Sequence, residues 1–240
     1  MGDRVTRAIL ILIAVWGGLV VGAVNVAVLG GGDPVGRAII LMADGLVLGW
    51  CVLGGAATWG FRDRLAGWMG ALPLRWPVRF VVLCTLLALL EEVVTTTMTN
   101  LAPFMGVSPE QAHITASANY LHVVLFHSVV VFVPMFAAWA LMLKRWDFSP
   151  LRVLLLFGLT GSLAEASINP SSLFGGFWVF VYGLMVYLPA CTVPADRGAR
   201  PPRWWHHLLA VFLPFLAVVP VAPVVVLLRR WLGIPLFEGT

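Results

Sequence analysis

Seven apolar stretches dominate this chain, approximately 8–29, 38–59, 80–100, 116–143, 152–170, 173–193 and 207–228. Each comes close to the roughly 20 residues that a helix needs to cross a hydrocarbon layer about 30 Å thick. Backbone inside lipid must satisfy its own N–H and C=O groups, so stretches of this length commit the chain to helices. The composition agrees: 60% of the residues are apolar, 11% are charged and the mean hydropathy is +0.96, well outside the range of soluble domains. The expectation is an all-α, polytopic integral membrane bundle of seven transmembrane helices, or eight, in a single transmembrane domain over 1–240. The first stretch follows Arg4 and Arg7 and lacks an AxA-type cleavage site, which predicts a retained helix rather than a signal peptide. The last carries Pro214, Pro220 and Pro223, which predict a kink, a re-entrant segment or a hairpin.

The net charge of +4 reads as topology rather than as a surface for nucleic acid. Placing the N-terminus in the cytoplasm of a cell with an inner or plasma membrane puts twelve basic residues in cytoplasmic segments: Arg4, Arg7, Arg62, Arg64, Arg75, Arg79, Lys144, Arg145, Arg152, Arg197, Arg200 and Arg203. Arg37, Arg229 and Arg230 fall outside, and the last pair is the weak point of that assignment. Cys51, Cys84 and Cys191 sit in apolar runs without CxxC spacing, so neither a disulfide framework nor a zinc knuckle is indicated.

Four of the eleven acidic residues, Asp44, Glu91, Glu92 and Glu165, fall inside the stretches, while the Lys and Arg residues lie at their edges or beyond. An ionisable group at bilayer depth costs a few kcal/mol, so such residues face a bundle interior and mark function. At a rise of about 1.5 Å per residue, Glu91 and Glu92 lie about 17 Å into the third stretch. His127 and Glu165 reach similar depths in the fourth and fifth, and short connections between these stretches predict neighbouring helices. Glu91 with Thr95, and Glu92 with Thr96 and Thr99, begin polar stripes at helical spacing, while Glu165 and Asn169 share a face. His122 and Asp44 lie nearer the outer surface and form a secondary set with Thr95 and Thr96.

Two adjacent carboxyls in low dielectric cannot both ionise cheaply, so the pair can share one proton. One member can then take a proton from water while the other donates. His127 can orient the water, and Asn169 can donate a hydrogen bond to a developing oxyanion. The set suits hydrolysis or proton-driven addition, on a membrane-embedded peptide or isoprenoid substrate with membrane lipid as the surrounding partner.

At these residues the chain resembles the CPBP family of intramembrane proteases, bacterial relatives of the CAAX-prenyl endopeptidase. Leu90-Glu91-Glu92-Val93 matches the family's Glu pair, Phe126-His127 its second motif, and Leu163 to Asn169 the cadence of its HxxxN motif. The resemblance covers about 85–170 and implies a multi-helix glutamate protease in which Glu91 or Glu92 activates water. The chain departs from the family pattern at Thr95 to Thr97, where an Arg is usual, at Val123, where a Phe is usual, and at Glu165, which replaces the motif's His. A second segment, Asn169-Pro170 with Phe177-Trp178, is similar to carotenoid hydratases, which together with small lycopene cyclases are compact bundles in which a carboxylic acid protonates a polyene.

Other chemistries fit less well. Glu91, Glu92, His127 and Glu165 are ligand types suited to a divalent metal, but HExxH is absent, so no cofactor is expected. Ser162 lacks the GxSG context of a serine nucleophile, and the single lysine, Lys144, lies in a loop where no retinal Schiff base forms. His206-His207, beside Trp204-Trp205, reads as an interfacial anchor. The non-enzyme alternative is an integral subunit or small transporter with a buried acidic and histidine site.

Overall fold

The computed structural model describes residues 2–234, whose regular structure is helical, with one isolated bridge between Trp146 and Arg200. Helix α1 spans Asp3–Leu29, α2 Pro34–Gly60, α3 Arg62–Gly70 and α4 Trp76–Asn100. Then follow α5 over Tyr120–Arg145, α6 over Pro150–Ile168, α7 over Trp178–Cys191, α8 over Trp204–Val218 and α9 over Ala222–Trp231. Every apolar stretch of the sequence therefore coincides with helix. Among the described residues, five helical segments are long and apolar enough to cross a membrane: α1, α2, α5, α6 and the combined Trp204–Trp231. Helix α7, at 14 residues, is shorter.

Local signals explain most of the helix starts. Asp33 accepts from the Val35 and Gly36 N–H groups ahead of α2, and Asn119 does the same for Leu121 and His122 ahead of α5. Proline in the first turn begins α2, α4 and α6, where its missing N–H costs nothing. Two helices contain π-type turns, α2 over Val47–Gly54 and α5 over Val124–Ser128. Such turns insert a residue into the helical register and re-aim the side chains around them.

The core is held chiefly by α4 to α8, with Phe80, Cys84, Phe136, Trp139, Phe157 and Val186 fully buried. Helices α6 and α7 make the most intimate pair. A Cβ on Gly158 would overlap the Val179 backbone, one on Gly161 would overlap the Tyr182 ring, and one on Gly183 would lie 2.7 Å from the Leu154 carbonyl. These glycines let the backbones meet as small residues do in membrane bundles. Helix α1 is largely exposed, and docks through Gly17 and through Trp16, whose Nε1 donates to the Phe174 carbonyl at 2.9 Å.

The basic segments gather at one end. Arg79 donates to the carbonyls of Gly70 and Thr192, Arg197 donates to the carbonyls of Leu143 and Pro194 and pairs with Asp147 at 2.7 Å, and Arg152 faces Asp3. His206 is buried at this end, its Nδ1 accepting from the Arg203 N–H and its ring 4.3 Å from that of Trp146.

Two sequence expectations change. The last stretch does not form a hairpin: the chain breaks at 219–221, but α8 packs along the later part of α5 and α9 along its beginning, so the path continues in one direction. Prolines 220 and 223 account for the break without reversing it. The connection between α4 and α5 is also not short. Residues 101–119 fold back as a roof, burying Ala102, Val107 and Ala112 against Ala38 and Met42 of α2.

Candidate functional site

Beneath that roof, in the half of the bundle away from the basic end, lies a cavity of about 530 Å³. Its volume falls within the range of about 300 to 1,000 Å³ usual for small-molecule sites. Five of the residues singled out by sequence line it together: Glu91, Glu92, His127, Glu165 and Asn169. Thr95 joins them.

The two members of the Glu pair, 5% and 6% exposed, are held in different ways. Glu92 is braced on all sides: Ser128 Oγ donates to Oε1 in a short hydrogen bond, while Thr95 Oγ1 and Thr115 Oγ1 donate to Oε2 at 3.2 and 3.5 Å. Three hydroxyl donors satisfy an acceptor-only carboxylate. The Glu91 side chain faces the cavity, and its carboxyl accepts no hydrogen bond from any described residue. Glu165 is half-buried and accepts a short hydrogen bond from Tyr182. Gly161 makes room for that tyrosine ring, so the close α6–α7 packing also sets the orientation of Glu165.

His127 is exposed along the cavity wall, and Ser128 beside it is buried against Glu92. In a regular helix consecutive side chains diverge by about 100°. The π-type turn over Val124–Ser128 loosens that rule, so both residues serve one site. Asn169 ends α6; its Oδ1 accepts from the Ser171 N–H and hydroxyl, which leaves its amide N–H groups available to the cavity.

The secondary set divides. Thr96 lines a separate groove of about 350 Å³ with Val93, Asn100 and Tyr120, and its hydroxyl is buried without a partner. Helical geometry explains this: the i,i+3 step from Glu92 to Thr95 carries a hydroxyl back to the carboxylate, and the i,i+4 step passes beyond it. Asp44 accepts from Asn25 Nδ2 at 2.9 Å, an interhelical bond between α1 and α2, and lies outside the cavity. His122 sits in the first turn of α5 and is likewise outside.

Sequence reading missed Ser128, Thr115, Tyr182 and Arg229, all of which line the cavity or bond its acids. Ser128 was accessible as the neighbour of His127. Nothing in the sequence linked Tyr182 or Arg229 to the acids. Among the described residues no three His, Cys, Asp or Glu side chains converge as a ligand set, so Glu91, Glu92, His127 and Glu165 share a wall without closing on one point.

The chemistry available is proton exchange at a carboxyl pair inside a partly enclosed chamber. Phe132, Phe177, Trp178 and Tyr182 supply aromatic walls beside it. Comparisons with protein-family models, with curated proteins and with solved structures find no match for this chain.

Proposed function

We propose that this chain is a membrane-embedded hydrolase of the CPBP type, in which Glu91 exchanges protons with water and substrate. The observation that carries the reading is the asymmetry of the pair: Glu92 is fixed by three hydroxyls, whereas Glu91 faces the cavity without a partner among the described residues. The carboxylate of the pair removes a proton from a cavity water as its oxygen attacks the substrate carbonyl carbon. The C–N bond of a peptide then breaks, and the proton held by the pair passes to the leaving amine. Asn169 and His127 face the same space and stabilise the oxyanion. The Tyr182–Glu165 unit completes the polar wall.

In this reading the bundle crosses an inner or plasma membrane seven times, with α4 and α7 as crossings and the basic end in the cytoplasm. The bias of basic residues toward that end supports the orientation. The cavity then faces the outer half of the bilayer, beneath the 101–119 roof.

A second reading is kept by the aromatic walls. Phe132, Phe177, Trp178 and Tyr182 present the ring faces that steady a carbocation, so the same acid can protonate an isoprenoid double bond, with water adding to the cation. One experiment separates the two. Membranes containing the protein are incubated in ¹⁸O-water, and products are compared with those of Glu91→Gln membranes. Hydrolysis places ¹⁸O in new carboxyl groups of membrane peptides, whereas hydration places it in the hydroxyl of an isoprenoid alcohol. A product set independent of Glu91 removes both readings.

A further inference from the structure

We infer that the cavity takes an amphiphile with an anionic head, a phosphate or carboxylate, which Arg229 holds at the cavity mouth while the Glu pair acts deeper along the molecule. The inference rests on the functional reading above for its chemistry but on separate residues for its geometry.

Arg229 lines the same cavity as Glu91, Glu92 and Glu165. Its guanidinium forms no ion pair and no hydrogen bond with any described residue, although three carboxyls share its cavity. Its burial differs from that of Arg230, which is exposed, so the pair is not two equivalent interfacial anchors. The break at 219–221 lets α9 lean on the start of α5, and that lean brings Arg229 to the cavity.

The contrast with the other arginines is informative. At the basic end Arg79 and Arg197 are occupied by carbonyls and a carboxylate. A guanidinium presents five donors in a planar fork that matches carboxylate and phosphate oxygens, and holding one half-buried without a partner is costly unless a ligand supplies the anion. The remaining wall fits a tail: Ile39, Ala43, Leu46 and Ile168 are apolar and line the same cavity. A cationic ligand is disfavoured at the mouth, and a neutral one leaves the guanidinium unsatisfied.

The test is binding, so it does not depend on turnover. Protein in nanodiscs of neutral lipid is titrated with dodecyl phosphate, dodecanoate, dodecanol and dodecyltrimethylammonium, with inorganic phosphate as the free-anion arm. The two anionic amphiphiles are expected to bind, and Arg229→Gln is expected to weaken them about tenfold or more, a loss of about 1.4 kcal/mol. Arg229→Lys should keep part of the affinity, Arg230→Gln should keep all of it, and Glu91→Gln should still bind although it is inactive. Equal affinity for dodecanol and dodecyl phosphate would overturn the inference. So would inorganic phosphate binding as tightly as dodecyl phosphate, or a folded Arg229→Gln variant that keeps the parent's head-group selectivity. A product set independent of Glu91, with Arg229-dependent binding retained, would sink the functional reading and leave this inference standing.

Discussion

The two ends of the bundle treat their charges in opposite ways. At the basic end, Arg79 and Arg197 cap helix carbonyls and close loops, and Arg62 lies 3.0 Å from Asp63. In the cavity, Glu91 and Arg229 share one chamber and are left without partners among the described residues. Charges with partners stabilise a fold, whereas charges held open beneath a roof await something that is not part of the chain. The contrast predicts which substitutions unfold the protein and which only silence it.

The largest effect belongs to Glu91. Replacing it with Gln keeps its volume, and removes proton exchange worth about 10²- to 10⁴-fold in rate. The expected result is loss of ¹⁸O-labelled product with an unchanged melting temperature in detergent. If Glu91→Gln melts markedly lower than the parent, Glu91 belongs with the structural charges and the contrast fails.

Next come substitutions that should damage the fold and leave the chemistry to follow. In Gly158→Ala the new methyl meets the Val179 backbone, which cannot swing aside as a side chain can, so overpacking of about 1 to 3 kcal/mol is expected. Arg197→Gln removes charge-assisted bonds at the basic end, each worth about 1.5 to 3 kcal/mol. Both should lower the melting temperature and the yield of folded protein, with activity per folded molecule preserved for Arg197→Gln. A fold that tolerates Arg197→Gln without loss would show that the basic end is as open as the cavity.

Ser128→Ala sharpens the comparison from within the site. It removes the shortest of the three bonds to Glu92 and leaves Thr95 and Thr115 in place. The expectation is roughly a tenfold to hundredfold loss of rate, in line with a lost hydrogen bond of about 1.5 to 3 kcal/mol to a charged group, and little change in melting temperature. A loss as large as that of Glu91→Gln would mean that the two glutamates act as one unit.

How much of this was legible beforehand depended on whether a feature lay in one helix or between several. Seven apolar stretches give helices because lipid leaves the backbone no other choice, and the acids at depth stand out against them. Glu91, Glu92, His127, Glu165 and Asn169 line one cavity because each lies at a similar depth on a helix adjoining it. Ser128 was hidden because helical periodicity assumes about 100° per residue, and the π-type turn over Val124–Ser128 breaks that count. Tyr182 reaches Glu165 through the notch at Gly161, which becomes visible only when α6 and α7 are packed. The roof was hidden because residues 101–119 look like an ordinary polar connection until Ala102, Val107 and Ala112 are seen buried on α2. Arg229 stood out in the sequence as an exception to the charge bias, and the structure gives that exception a place.

The smallest expected effect concerns Asp44, an acid at depth that the structure separates from the rest. Its carboxyl accepts from Asn25 at 2.9 Å and joins α1 to α2 outside the cavity. Interhelical hydrogen bonds of this kind average about 0.6 kcal/mol in membrane bundles, because the separated helices also find partners. Asp44→Asn keeps the shape and can still accept from Asn25 through its amide oxygen, so activity should be unchanged and stability should shift by less than about 1 kcal/mol. The measurement is product formation and melting temperature for Asp44→Asn beside Glu91→Gln. A loss of product at Asp44 comparable to that at Glu91 would show that depth alone, and not a place on the cavity wall, decides which acids act. The distinction between partnered and open charges would then have to be abandoned.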